Sequence, residues 1–118
     1  MSLYLGSTKY AGSAFIDTKT TNATASANKW TTATSSTTPS NSVCAAYQRV
    51  AVSGINANSK IIAGLAENCT VAQRQAGANA ELFVYSVSTN SIVLCCTDSS
   101  YIPSIDIPIS IWVISTGV

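Results

Sequence analysis

Between positions 105 and 114 the chain reads IDIPISIWVI, with an apolar residue at every second position. Ile105, Ile107, Ile109, Ile111 and Val113 fall on one face of an extended segment, and Asp106, Pro108, Ser110, Trp112 and Ile114 on the other. A period of two is that of a β-strand with one face in a core, so the isoleucine face is expected to be buried. The opposite face begins polar and ends in Trp112 and Ile114. A large aromatic beside an aliphatic on a nominal solvent face points to a second covered surface, supplied either by a neighbouring subunit or by a polar loop of the same chain. Pro108 has no amide proton to give to a ladder, which places this strand at a sheet edge or turns that position away from a partner.

Other segments carry weaker forms of the same pattern. Residues 3–5 and 9–17 read as short strands separated by a turn at Gly6 and Ser7, the second interrupted by Gly12. Residues 18–42 are Thr, Ser, Asn and Ala with Trp30 as almost the only large apolar residue, a composition expected to give a long polar loop or arm ordered by its neighbours. Residues 44–55 read as a strand ending at a Ser53-Gly54 turn, and residues 60–65 as the next. Residues 67–76 read as a short helix with Val71 and Gln75 on one side and Gly77 as its stop. Residues 82–87 and 92–96, dense in β-branched and aromatic side chains, form a hairpin through residues 88–91. The expected fold is all-β: a compact, jelly-roll-like β-sandwich with one short helix and a long Ser/Thr-rich loop. It forms a single domain, with residues 1–17 as a docking segment, 18–42 as the loop or arm and 43–118 as the β core.

Charge changes the picture. Only 9% of the 118 residues are charged, against about 25% in an ordinary soluble protein. The surface must then be mostly Ser, Thr, Asn and Ala. Burying such groups costs less desolvation than burying Lys or Glu, which suits a subunit with much of its outside covered; a polar surface facing harsh extracellular conditions is the alternative. Lys9, Lys19, Lys29, Arg49, Lys60 and Arg74 are scattered, so there is no basic stripe for nucleic acid. The opening MSLYLGSTKY lacks a basic leader with an apolar run, and no stretch nears the roughly 20 apolar residues of a membrane span, so synthesis in a cytoplasm without secretion or insertion is expected.

Candidate chemistry is sparse. Cys44, Cys69, Cys95 and Cys96 include no C-x-x-C pair, and the chain has no histidine, so no metal or cofactor is expected. The cysteines read as small buried hydrophobes, with a disulfide formed after release into an oxidising medium as the alternative. Without histidine the common routes to an activated Ser or Cys nucleophile are closed. Asp17, Glu67, Glu81, Asp98 and Asp106 are far apart in sequence, and no glycine-rich phosphate loop precedes a helix. Binding or structure is expected, and no enzymatic activity. A sugar-binding surface would draw on Trp30, Tyr47 or Tyr101 as stacking platforms.

The run VAVSGINANSKII from Val50, the helical segment up to Gly77, the hairpin of residues 82–96 and the closing IPSIDIPISIWVI together make up roughly the second half of the chain. They resemble the C-terminal domain found in many tail-fibre, neck-fibre and baseplate-associated proteins of phages infecting gut Firmicutes. The opening LYLGSTKYAG is similar to short N-terminal segments of phage virion proteins, which often attach them to the particle; this marks Leu3, Tyr4 and Leu5 as docking residues. Here the two parts are joined without a long fibrous middle, which favours a compact piece: a head decoration or head-fibre protein, a neck component or a small receptor-binding tip. The resemblance implies a β-sandwich, commonly trimeric, located in the virion and assembled in the bacterial host cytoplasm. Its partners would be further copies of itself, through Trp112 and Ile114, other virion proteins and, as the alternative function, a host surface glycan.

Overall fold

The computed structural model describes residues 19–115. The strands expected within residues 1–17, together with Leu3, Tyr4 and Leu5, lie outside the described residues. Seven strands and one helix follow in the order β1 (Lys19–Ala25), β2 (Thr31–Thr32), β3 (Ala46–Ala51), β4 (Lys60–Leu65), α1 (Val71–Ala80), β5 (Leu82–Ser88), β6 (Ser91–Cys96) and β7 (Ile107–Ser115). They form two antiparallel sheets, one ordered β1-β7-β4 and the other β2-β3-β6-β5. The expected all-β, sandwich-like fold with one helix is the observed one.

Strand β7 is the spine of the three-stranded sheet. Ile107, Ile109, Ile111 and Val113 are all buried in the core. Across the core they meet Val50 of β3 and Ile92 and Leu94 of β6, while Ala25 of β1 closes one end. Burial of each such side chain stabilises the fold by about 1.5–3 kcal/mol, which is why the alternation in β7 dominates the architecture. Ile105 departs from the expected core row. It precedes the strand and is exposed.

The edge placement of β7 is overturned, because it is the central strand, with β1 on one side and β4 on the other. Pro108 is accommodated by where β4 stops. The pairing with β4 ends at Leu65 opposite Ile109, and the Pro108 carbonyl accepts the Ala66 amide at 3.0 Å. Backbone N–H and C=O of one strand residue point to the same side, so the proton that Pro108 lacks is missing just past the end of the ladder, where no strand requires it.

The polar stretch 18–42 is also corrected in part. Its first seven described residues are β1, paired along their whole length with β7 from Lys19 opposite Val113 to Ala25 opposite Ile107. Thr21, Ala23 and Ala25 turn inward and are small enough to lie over the isoleucines, while Thr20, Asn22 and Thr24 face out. The loop proper is shorter, running from residue 33 to 45, and its own hydroxyls knit it together. Thr34 N–H donates to Thr37 Oγ1 at 2.9 Å, Thr37 Oγ1 donates to the Pro39 carbonyl at 2.8 Å, and Asn41 N–H donates to the Thr34 carbonyl at 3.0 Å. The sheets are further tied by Gln48, a buried amide on the inner face of β3. Its Oε1 accepts from Ser26 N–H at 3.1 Å and its Nε2 donates to the Ser26 carbonyl at 3.0 Å, so a polar group in an apolar layer is satisfied twice.

Helix α1 starts later and ends later than the sequence pattern predicts. Thr70 caps it through a reciprocal pair, its hydroxyl accepting from Gln73 N–H and the Gln73 side chain accepting from Thr70 N–H. Gly77 is inside the helix, and it does not stop it. A Cβ there would lie 2.7 Å from Leu65 Cδ2, so its absence lets the helix seat on the end of β4. The buried side of α1 is thus Gly77 and Ala80, and Val71 and Gln75 are exposed. The chain leaves the helix through Glu81 at φ 52°, a left-handed cap. At the opposite end, Asn90 turns the β5–β6 hairpin at φ 58°. Its side chain accepts the Gly54 amide at 3.1 Å, and Gly54 itself holds φ 85°, a conformation glycine adopts freely. The β5–β6 ladder slips once, between Val84 and Ser86, leaving Tyr85 as a bulge.

Candidate functional site

The outer face of the β1-β7-β4 sheet carries the most exposed apolar group near a strand centre. Register places Trp112 opposite Thr20 on β1 and opposite Ile62 on β4. Trp112 is 50% exposed, Ile62 53% and Ile114, two residues along on the same face, 37%. The expected second apolar face is therefore present on the surface, and Ile62 extends it. No loop of the described chain covers it, which removes the alternative in which the polar loop buries Trp112. Around it the surface is polar: Thr20, Asn22, Glu67, Asn68 and Ser110 line a hollow of about 340 Å³. An apolar centre with a polar rim is the anatomy of a protein interface.

The three residues expected as sugar platforms are not brought together. Trp30 is half-buried and packs against Ala46, Ala80 and Cys96 and against the main core, with its indole N–H buried and without a partner among the described residues. Tyr47 lies on the outer face of the four-stranded sheet, opposite Cys95. Tyr101 is exposed on a short 3₁₀ turn, Ser99–Tyr101, which contacts α1. Sequence reasoning passed over Phe83 and Tyr85, both exposed on β5; the alternation in LFVYSV, with Leu82 and Val84 turned inward, is the signal that finds them.

A second cavity of about 300 Å³ opens between the free edges of β4 and β5, with Leu65, Gly77, Leu82, Val84, Leu94 and Ile109 among its lining. It is largely apolar and holds one carboxylate, Glu81, at the helix cap.

Two of the acidic side chains bond backbone amides. Asp106 Oδ1 accepts from Ala27 N–H at 2.8 Å, and Asp98 Oδ1 accepts from Ser100 N–H at 2.9 Å to open the 3₁₀ turn. Glu67 contributes its carbonyl to Arg74 at 2.6 Å. Asp17 lies outside the described residues. Among the described residues no group of three or more His, Cys, Asp or Glu could hold a metal ion, and no helix is long and apolar enough to cross a membrane. Comparison with family models, with curated proteins and with solved structures finds no match.

Proposed function

We propose that this chain is a non-enzymatic structural subunit that works as a symmetric homo-oligomer, joined through the Ile62–Trp112–Ile114 face. The single observation that supports it is the exposure of that apolar row on a regular sheet face, in a chain with 9% charged residues. Large exposed aromatics at the centre of a face, rimmed by short polar side chains, are the residues that carry binding energy in interfaces. The resemblance of its second half to fibre and baseplate domains extends the proposal to a bacteriophage particle, as a decoration, head-fibre, neck or tail-associated protein, with a trimer as the favoured symmetry and residues 3–5 as the docking end. Light scattering across a dilution series tests the oligomer: a concentration-independent trimer or higher species supports it, and a monomer at all concentrations overturns it. Co-purification with particles tests the virion placement.

A second reading has its own observation. The hollow lined by Asn22, Asn68, Glu67 and Ser110 lies on the same sheet face as the exposed Trp112, two residues along β7, and an aromatic platform near amide and hydroxyl groups is what a sugar ring requires. In that reading the chain is a receptor-binding tip. Glycan-array binding lost in Asn22→Ala favours it, and an array without signal counts against it.

A further inference from the structure

The four cysteines have different surroundings. Cys69 Sγ donates to the Pro108 carbonyl at 3.4 Å, and Cys96 Sγ donates to the Asp98 carbonyl at 3.4 Å. Cys95 and Cys96, neighbours on β6, point to opposite faces: Cys96 packs inward with Ala46 and Ala80, and Cys95 packs outward with Cys44, Ala33 and Tyr47. Cys44 and Cys95 thus share one small buried cluster, close enough for each thiol to act on the other. Cys44 is carried there by the end of the 33–45 loop, where Cys44 N–H donates to the Ser40 carbonyl at 3.3 Å and Ala45 N–H donates to the Cys96 carbonyl at 2.9 Å. Cys44, 4% exposed, also stands in the wall of an open hollow of about 510 Å³, beside Ala33, Val43, Thr97 and Ser99, whereas Cys95 is fully buried and lines no part of it.

We propose that Cys44 and Cys95 are a disulfide-ready pair that closes in the folded protein by exchange with a low-molecular-weight disulfide. The inference goes beyond the assembly reading and does not rest on it. Access sets the order of events. The Cys44 thiolate, reached through the hollow, attacks one sulfur of the small disulfide; the S–S bond breaks, one small thiolate leaves, and a mixed disulfide forms on Cys44. The small thiolate takes the Cys95 proton, and the Cys95 sulfur attacks Cys44 Sγ, expelling the second small thiolate, which takes up from water the proton that Cys44 released on ionising. Two protein thiols and one small disulfide become one protein disulfide and two small thiols. Burial keeps Cys95 protonated and makes it a poor first attacker, which suits a resolving role. The product ties the 33–45 loop to β6 on the side of the sheet away from the main core.

The test is to incubate reduced, folded protein with oxidised glutathione, alkylate the remaining thiols and map the peptides by mass spectrometry. The expected result is one intramolecular bridge between Cys44 and Cys95, with Cys69 and Cys96 recovered as thiols. Recovery of all four thiols, or a bridge using Cys69 or Cys96, overturns the proposal. Cys44→Ser should leave Cys95 unmodified under the same treatment, and Cys69→Ser should leave the bridge intact; glutathione found on Cys95 in the first variant also overturns it. The wild-type map stands alone if either variant fails to fold, and none of these readouts depends on oligomeric state.

Discussion

Gln48 and Ser26 share two hydrogen bonds, one in each direction, across 22 residues of sequence. The pair fastens the end of β1 to the inner face of β3, where no other polar side chain of β3 is turned inward. Gln48→Ala would leave the Ser26 amide part-buried and unpaired, with the Ser26 carbonyl held by the Lys29 amide alone at 3.2 Å, at a cost of about 2 kcal/mol. Urea denaturation should show a lower midpoint with an unchanged slope, since the fold itself is retained.

Ile109 is buried between Ala23 of β1 and Leu65 of β4 and faces the core. Ile109→Asp would place an unpaired carboxylate there, and the loss should exceed about 4 kcal/mol, a large part of the stability of a small domain. Circular dichroism should report an unfolded chain. Ile109→Val, which removes one methylene, should cost about 1 kcal/mol and remain folded.

Trp112 offers the reverse case. At 50% exposure its truncation costs the isolated fold little, so Trp112→Ala should keep the wild-type circular dichroism while shifting the light-scattering mass toward monomer. Ile62→Ser, directly opposite, should weaken assembly in the same direction. Wild-type mass in both variants would sink the interface.

Gly77 sets two effects against each other. Alanine gains about 1 kcal/mol of helix propensity, but its Cβ meets Leu65 Cδ2 at 2.7 Å. The obstacle is the tip of a half-buried, flexible side chain that can turn aside, so Gly77→Ala should change stability by less than about 1 kcal/mol. A larger side chain reaches past the tip, and Gly77→Leu should lower the thermal midpoint clearly.

Alkali should destabilise the protein. Burial, helped by the adjoining Cys44 side chain, raises the Cys95 thiol from 9.0 to about 12. Below pH 9 folded and unfolded chains both hold that proton and stability is insensitive to it. Between 9 and 12 the unfolded thiol ionises while the folded one does not, so stability falls as pH rises, by at most about 1.4 kcal/mol per pH unit from this group. Cys95→Ala should flatten that part of the curve.

The parts of the fold legible in the sequence are those written in large residues. The isoleucine row of β7 declares both its period and its buried face, and the KIIAGL of β4 and the two arms of the 82–96 hairpin declare themselves as strands. Strand β1 alternates just as regularly, but with Thr21, Ala23 and Ala25 inward; it is a strand because β7 needs a partner there, a fact that resides in β7 and not in its own composition. The helix start was available in the Thr70-x-x-Gln73 spacing. Its end was not, because Gly77 owes its place to Leu65, a contact between elements. The same limit applies to the surface: Trp112 and Ile114 show in the alternation, whereas Ile62 joins them only through the β4–β7 register.

Strand β5 ends its sheet with the sequence LFVYSVS, which has none of the charges or prolines that usually blunt an exposed edge. Such an edge invites another copy to zip on by its backbone, and a crowd of charge-poor molecules could grow into fibres in that way. The slip at Tyr85 breaks the even row of amides and carbonyls halfway along, so a straight incoming strand can stay in step on only one side of it. One extra residue thereby blunts an edge that its composition leaves open.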